Sequence, residues 1–228
     1  MKKHSFPTEL SYVLGILLLV IGTALMECAD FGLSMVVAPA YLLHLKLSQF
    51  LPFFSFGMAE YTLQAVILLL LVIVLRKFRV AYLFSFVTAV FYGLTLDGVM
   101  RLTNALPAAS FALRMVYYLI GMLLCACGVS LLFHTYIPPE AYELFVKEIA
   151  EVLHMDIHRC KTIYDCTSCV ISILLSFAFF GLWHFEGIKL GTAFCALVNG
   201  TLIGRCSCLF EAHFTFKDAL PFRQYFAQ

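Results

Sequence analysis

The sequence predicts an all-α, polytopic membrane protein: six transmembrane helices in two inverted three-helix repeats, with re-entrant or amphipathic segments after helices 1 and 4. Three observations carry this. The 228-residue chain is 62% hydrophobic and 13% charged, with mean hydropathy +0.94, whereas soluble domains are nearer half apolar and a quarter charged. Too few polar residues remain to cover the apolar ones, so lipid must solvate the outside. Six stretches are long and apolar enough to cross ~30 Å of hydrocarbon. Two blocks of sequence recur at nearly one offset.

The first predicted span is Leu10–Met26. It follows Met1-Lys2-Lys3-His4 and ends in Met26-Glu27-Cys28-Ala29-Asp30, with no small-x-small cleavage site, so it reads as an uncleaved helix. Gly32–Phe56 comes next, apolar but broken by Pro39, His44, Lys46, Gln49 and Pro52, and is apolar enough to re-enter the membrane. The second and third spans are Met58–Leu75 and Val80–Leu96, joined by Arg76-Lys77-Phe78-Arg79. The fourth is Met115–Phe133. Pro138–His154 is amphipathic, with Tyr142, Phe145, Ile149, Val152 and Leu153 on one face and Glu140, Glu143, Lys147, Glu148 and Glu151 on the other. Its charge predicts that it does not dip deeply. The fifth and sixth spans are Ile163–Phe185 and Leu190–Phe210, followed by a short tail, 211–228. No linker composition divides the chain, so a single transmembrane domain covers 1–228.

Positive charge sets the orientation. With a cytoplasmic N-terminus, eleven Lys and Arg fall inside, Arg76, Lys77, Arg79 and Lys161 among them. Only Lys46, Arg101, Arg114 and Lys189 fall outside. Both termini are therefore expected in the cytoplasm.

Leu14-Gly15-x-Leu17-Leu18-x-x-x-Gly22 aligns with Ile120-Gly121-x-Leu123-Leu124-x-x-x-Gly128 at an offset of 106. Leu83, Ser85, Ala89, Gly93 and Leu96 align with Leu190, Thr192, Ala196, Gly200 and Ile203 at 107. Repeat 1 is about 10–102 and repeat 2 about 115–210. Three spans per half is an odd number, so the second half enters from the opposite side. In transporters of this plan the binding sites lie near the midplane, where broken helices meet.

Three stretches carry a family resemblance: Ala29-Asp30-Phe31-Gly32-Leu33-Ser34, Thr162-Ile163-Tyr164-Asp165-Cys166-Thr167-Ser168-Cys169, and Gly187 through Gly204. In these the chain resembles the YczE/YyaS/YitT-like family of bacterial integral membrane proteins. It departs from that family's repeated Leu-Gly-x-x-Pro-like turn, having Gly32-Leu33-Ser34-Met35 in one half and Tyr136-Ile137-Pro138-Pro139 in the other. The resemblance implies a bacterial cytoplasmic (inner) membrane protein with a transporter-like role, and supplies no substrate or site residues.

Ionisable groups within spans are costly and are the first functional candidates. Glu60 and Gln64 share a face of the second span; Asp165 opens the fifth beside Tyr164 and Ser168; Asn199 lies mid-span in the sixth. If the repeats hold, Glu60 and Asp165 approach the pseudo-axis from opposite sides and line one pathway as a substrate or ion site. Asp97 and Arg101 are spaced for an interfacial salt bridge at the end of the third span, and Glu27 with Asp30 for a vestibule or solvated loop. Nine cysteines form no disulfide framework. Of these, Cys166 and Cys169 share a helix face and are weak soft-metal candidates; packing accounts for the rest. No catalytic constellation, nucleotide loop or cofactor motif is present, and the net charge of +1 gives no reason to expect nucleic acid. The expected partners are the lipid bilayer and a small solute, and a homodimer is compatible with the sequence. The expected function is ion-coupled import or export of that solute; the alternative is a membrane-embedded module that binds a ligand or partner and regulates without transport.

Overall fold

A computed structural model describes residues 4–103, 105–107, 110–181, 188–221 and 223. The described residues run β1 (His4–Pro7), α1 (Thr8–Ala29), α2 (Ala38–Leu47), α3 (Phe56–Leu75), α4 (Val80–Thr103), α5 (Phe111–Phe133), α6 (Ala141–Val152), α7 (Ile157–Phe180), α8 (Leu190–His213) and β2 (Phe214–Lys217). Six of the helices, α1, α3, α4, α5, α7 and α8, are long and apolar enough to cross a membrane. Their outward faces carry Leu69, Ile73, Val74, Phe91, Leu94, Leu174 and Leu197, all more than half exposed, which places these helices against lipid.

The helix ends follow from caps. Ser55 accepts from Met58 N and starts α3, and Ser110 does the same for α5 through Leu113 N. Asp156 accepts from His158 N and Arg159 N, so α7 begins six residues earlier than its apolar pattern predicts. The predicted end of that span, through Phe185, lies partly outside the described residues. α1 stops where Asp30 turns left-handed, φ 55°. α4 runs on to Thr103, which takes Asp97 into the helix. There Asp97 accepts from Ser55 Oγ (2.6 Å) and Gly57 N (2.9 Å), closing the start of α3. Arg101 is not its partner, which corrects the expected salt bridge.

The core is built around α1 and α5, packed antiparallel. A Cβ placed on Gly22 would come within 2.6 Å of the Gly121 carbonyl oxygen, and one on Gly128 within 2.7 Å of the Gly15 carbonyl oxygen. Small residues at this spacing let helix backbones approach closely in lipid. α3 pairs with α4 and α7 with α8; α4 flanks α1 and α8 flanks α5. The two short helices cross between these groups. α2 packs on α3 and α7, and α6 packs on α7, α3 and α4.

Both short helices have their N-termini inside the bundle. At the start of α6, Ala141 N donates to Gln64 and the Tyr142 hydroxyl donates to Glu60, about 17 and 22 Å along α3 from its end at Leu75. Farther along α6, Glu148 pairs with Arg79 at that end of the bundle. The turn leading into α2 receives Ser168 Oγ on the Met35 carbonyl, while Lys46 at the other end of α2 donates to Phe179 O near the end of α7.

The amphipathic segment departs from expectation. Its buried face is Ala141, Tyr142, Glu143, Leu144, Val146 and Ala150, with Glu140 also buried, while Val152 and Leu153 are exposed. Charge does not keep its first turn at the surface: inside the bundle Lys161 pairs with Glu143 and the Gln64 amide donates to Glu140. The tail also differs from a free extension. β2 pairs in parallel with β1, His4 opposite Phe214 through Pro7 opposite Lys217, so the described residues before α1 and after α8 lie at one end of the bundle. Glu9 fastens this clasp by accepting from Ala219 N, Leu220 N and the Tyr136 hydroxyl.

Candidate functional site

The N-terminal ends of α2 and α6 converge on a small cavity of about 20 Å³, room for about one water molecule. α1 contributes Thr23, the approach to α2 contributes Ser34, Val36 and Val37, and α4 contributes Tyr92. α6 and its preceding residue bring Glu140, Tyr142 and Glu143, α7 brings Lys161 and α8 brings Asn199.

Five buried ionisable groups form a network here, none more than 2% exposed: Glu140, Glu143 and Lys161 line the cavity, while Glu60 and Asp165 join the network without lining it. Lys161 lies one turn before Asp165 on α7, so both point the same way. Its ammonium donates to Glu143 Oε1 at 3.2 Å. It also lies 3.2 Å from Asp165 Oδ1, an ion pair whose angles fall outside hydrogen-bond geometry. The Tyr164 ring stands 5.6 Å from the ammonium, and Asn199 Nδ2 donates to Asp165 Oδ2 at 3.3 Å. On the other side, Gln64 uses both ends of its amide: Oε1 accepts from Ala141 N at 2.9 Å and Nε2 donates to Glu140 Oε2 at 3.2 Å. The Tyr142 hydroxyl donates to Glu60 Oε2 at 3.0 Å.

Five buried oxygens of the network are left without a hydrogen-bond donor: Glu60 Oε1, Glu140 Oε1, Glu143 Oε2, Asn199 Oδ1 and Asp165 Oδ1, the last held only by its ion pair. All are acceptors, so the site is donor-poor. Burial, with the Glu143 and Glu60 carboxylates beside it, pushes the Glu140 carboxyl well above the usual carboxylate range. Glu140 lies in the connection before α6, outside the six long helices.

Glu60 and Asp165 thus both face the interior, joined through the first turn of α6 rather than touching. Gln64 and Asn199 belong to the same network. Tyr164 packs at a tilt against the Phe145 ring and lies under the Lys161 ammonium. Ser168 spends its hydroxyl on the Met35 carbonyl, so it fixes α2 and leaves the cavity to others. Cys166 is half-buried and Cys169 buried, both free thiols. No three His, Cys, Asp or Glu side chains among the described residues are grouped to hold a metal ion. Asp30 pairs with Arg114 (2.9 Å) and Lys189 (2.6 Å) rather than standing in an open acidic vestibule.

The sequence reading missed Glu140, Tyr142, Glu143 and Lys161. Lys161 was counted among the surface charges that set orientation, yet it is 1% exposed; its spacing from Asp165 was the available signal. For Glu140 the signal was its place directly after Pro138-Pro139, at a helix start.

A family model described as a family of unknown function (DUF6198) matches residues 6–207. No curated protein and no solved structure matches the chain. These comparisons lend no support to the YczE/YyaS/YitT-like label.

Proposed function

Since the chain belongs to the DUF6198 family, whose function is unknown, we propose a role from its site: ion-coupled secondary transport of a small solute across the bacterial cytoplasmic membrane. One observation carries this reading. Five ionisable side chains meet at the centre of a lipid-facing bundle, where each costs several kcal/mol unless it serves a pathway or a partner. The site is proposed as a binding site without a catalytic group.

Inverted symmetry supports the reading. If residue n matches residue n+106, a two-fold axis turns the contact Gly15–Gly128 into Gly121–Gly22. Both close approaches occur, as reciprocal contacts should across an isologous interface. The convergence of α2 and α6 fits the same relation, since two broken helices presenting their N-termini to the midplane is a transporter arrangement.

The centre lies between two sets of polar ties. At the end opposite β1 and β2, Asp30 links α1 to Arg114 of α5 and Lys189 before α8. At the end carrying β1 and β2, Glu9, Tyr136 and the residues after β2 form the second set. Opening them in turn would expose the site to each side, with the β1–β2 end in the cytoplasm. Single cysteines placed at Lys77 and Arg101 in an otherwise cysteine-free protein test the orientation. An impermeant maleimide should label position 101 and spare position 77 in intact cells; the reverse pattern overturns it.

Transport is tested in proteoliposomes filled with a small-molecule cell extract. Under an imposed pH gradient, mass spectrometry should show one class of solute leaving vesicles that hold the native protein, but not those holding Asp165→Asn. No selective redistribution in either gradient direction would overturn the proposal.

A further inference from the structure

We infer that the ion carried by the central site is the proton, and that Glu140 is its carrier, with Glu60 as the second proton-holding acid. This rests on the transport reading above and deepens it.

Charge balance separates the four acids into two pairs. The site holds four carboxyls and one ammonium, so full ionisation would leave it three negative charges in excess. Lys161 lies 3.2 Å from both Glu143 and Asp165, which identifies those two as the acids its charge serves. Glu60 and Glu140 meet no cation among the described residues. Glu60 has the Tyr142 hydroxyl and Glu140 has the Gln64 amide, each on one oxygen only. Their other oxygens, Glu60 Oε1 and Glu140 Oε1, are buried without a donor.

Every element around Glu140 gives the same answer. α3 presents Glu60 and Gln64, α6 presents Glu143, and α7 presents the already shared Lys161. α4 presents Tyr92, whose hydroxyl is held by Thr23 of α1, and α5 presents Cys125. The Tyr12 hydroxyl of α1 is taken by Thr88. α8 presents Asn199, whose amide is given to Asp165. Nothing positive is left for Glu140. Ionised carboxylates in so dry a place cost several kcal/mol each, and binding a proton removes that cost.

Ligand number points the same way. The cavity has room for about one water molecule, and a desolvated cation of that size needs several oxygen ligands, whereas no three of the described acids are grouped to hold a metal ion. A proton needs only one oxygen.

The same acids hold α6 in place. Glu140 is the N-cap residue of α6. Four hydrogen bonds hold the first turn of α6 in the bundle through side chains of this network: Ala141 N to Gln64, Gln64 to Glu140, Tyr142 to Glu60, and Lys161 to Glu143. Two of the four end on the acids that hold protons. Loss of both protons sets Glu60 and Glu140 against each other and against Glu143, with α6 between them. Proton occupancy and the docking of α6 are therefore one equilibrium. The raised Glu140 carboxyl fits this. The docked state binds the proton more tightly than a water-exposed Glu140 does, so docking is strongest at low pH. It weakens as pH climbs from the ordinary glutamate value through the raised one.

Infrared difference spectroscopy of the protein in nanodiscs tests the assignment without a known solute. The native protein should show a protonated-carboxyl C=O band at neutral pH that fades under alkaline conditions. Glu140→Gln should remove one component and Glu60→Gln another. Carbon-13 labelling of glutamate in the native protein should shift both components, which keeps the test open if a variant fails to fold. A neutral-pH spectrum with no protonated glutamyl band, or one unchanged by Glu140→Gln, overturns the inference. Solute flux without the band would overturn the proton and leave transport standing. The band without any flux would overturn transport and leave the protonated acids.

Discussion

Lys161→Met lowers the thermal unfolding midpoint in detergent by roughly 10 °C. Lys161 is buried between Glu143 and Asp165, and removing it leaves two carboxylates with no cation. Breaking one side of a buried ion pair costs about 3–5 kcal/mol, and for a chain of this size each kcal/mol moves the midpoint by about 2–4 °C. The surface pair Arg79–Glu148 is the contrast. Arg79 is 39% exposed, and Arg79→Met should change stability by no more than about 1 kcal/mol. Adding Glu143→Gln and Asp165→Asn to Lys161→Met should recover most of the loss, because the penalty belongs to the uncompensated charges and not to the missing contact. A Lys161→Met protein as stable as the native one would show that the triad does not hold α6 and α7 together. Monodispersity after a heating series measures all three variants.

Gly22→Leu removes folded protein from the membrane fraction altogether. A Cβ at position 22 meets the Gly121 carbonyl oxygen and the Cys125 Sγ, both at 2.6 Å. Backbone cannot move aside as a side chain can, so the α1–α5 pair must separate, and with it α4 and α8, which carry α3 and α7. Gly22→Ala should cost about 1–3 kcal/mol, the usual penalty of overpacking. Gly121→Leu should match Gly22→Leu, since the same contact is approached from the other helix. Gly98 provides the control: it is exposed on α4 and an added Cβ meets nothing within 4 Å, so Gly98→Ala should be neutral or stabilising by up to about 1 kcal/mol. Equal yields of Gly22→Leu and native protein would remove α1–α5 from the centre of the fold.

The long helices were legible in the sequence because lipid imposes a local requirement. About 20 apolar residues must follow one another, and each span meets that requirement on its own. Their ends were harder to read. α7 starts at Ile157 because Asp156 caps it and because Lys161 and Asp165 satisfy each other. A hydropathy pattern sees in those same residues only polar interruptions. Asp97 shows the same limit: its i+4 neighbour Arg101 suggested a pair, yet the start of α3, forty residues earlier, offered Ser55 and Gly57.

By itself the sequence determined the all-helical membrane class and the number of long spans, and it marked Glu60, Gln64, Asp165 and Asn199 as polar groups that must turn inward, pair or reach water. Tertiary structure decided what those residues meet. Gln64 faces Glu140 across seventy-six positions of chain and Glu60 faces Tyr142 across eighty-two, distances over which no periodicity carries information. It also reversed the reading of the first turn of α6. Glu140, Glu143 and Lys161 look like a solvated surface when each is judged alone. Lys161 is buried against Glu143 and Asp165, and Glu140 against the Gln64 amide of α3, and an interaction between segments is not visible in either segment separately.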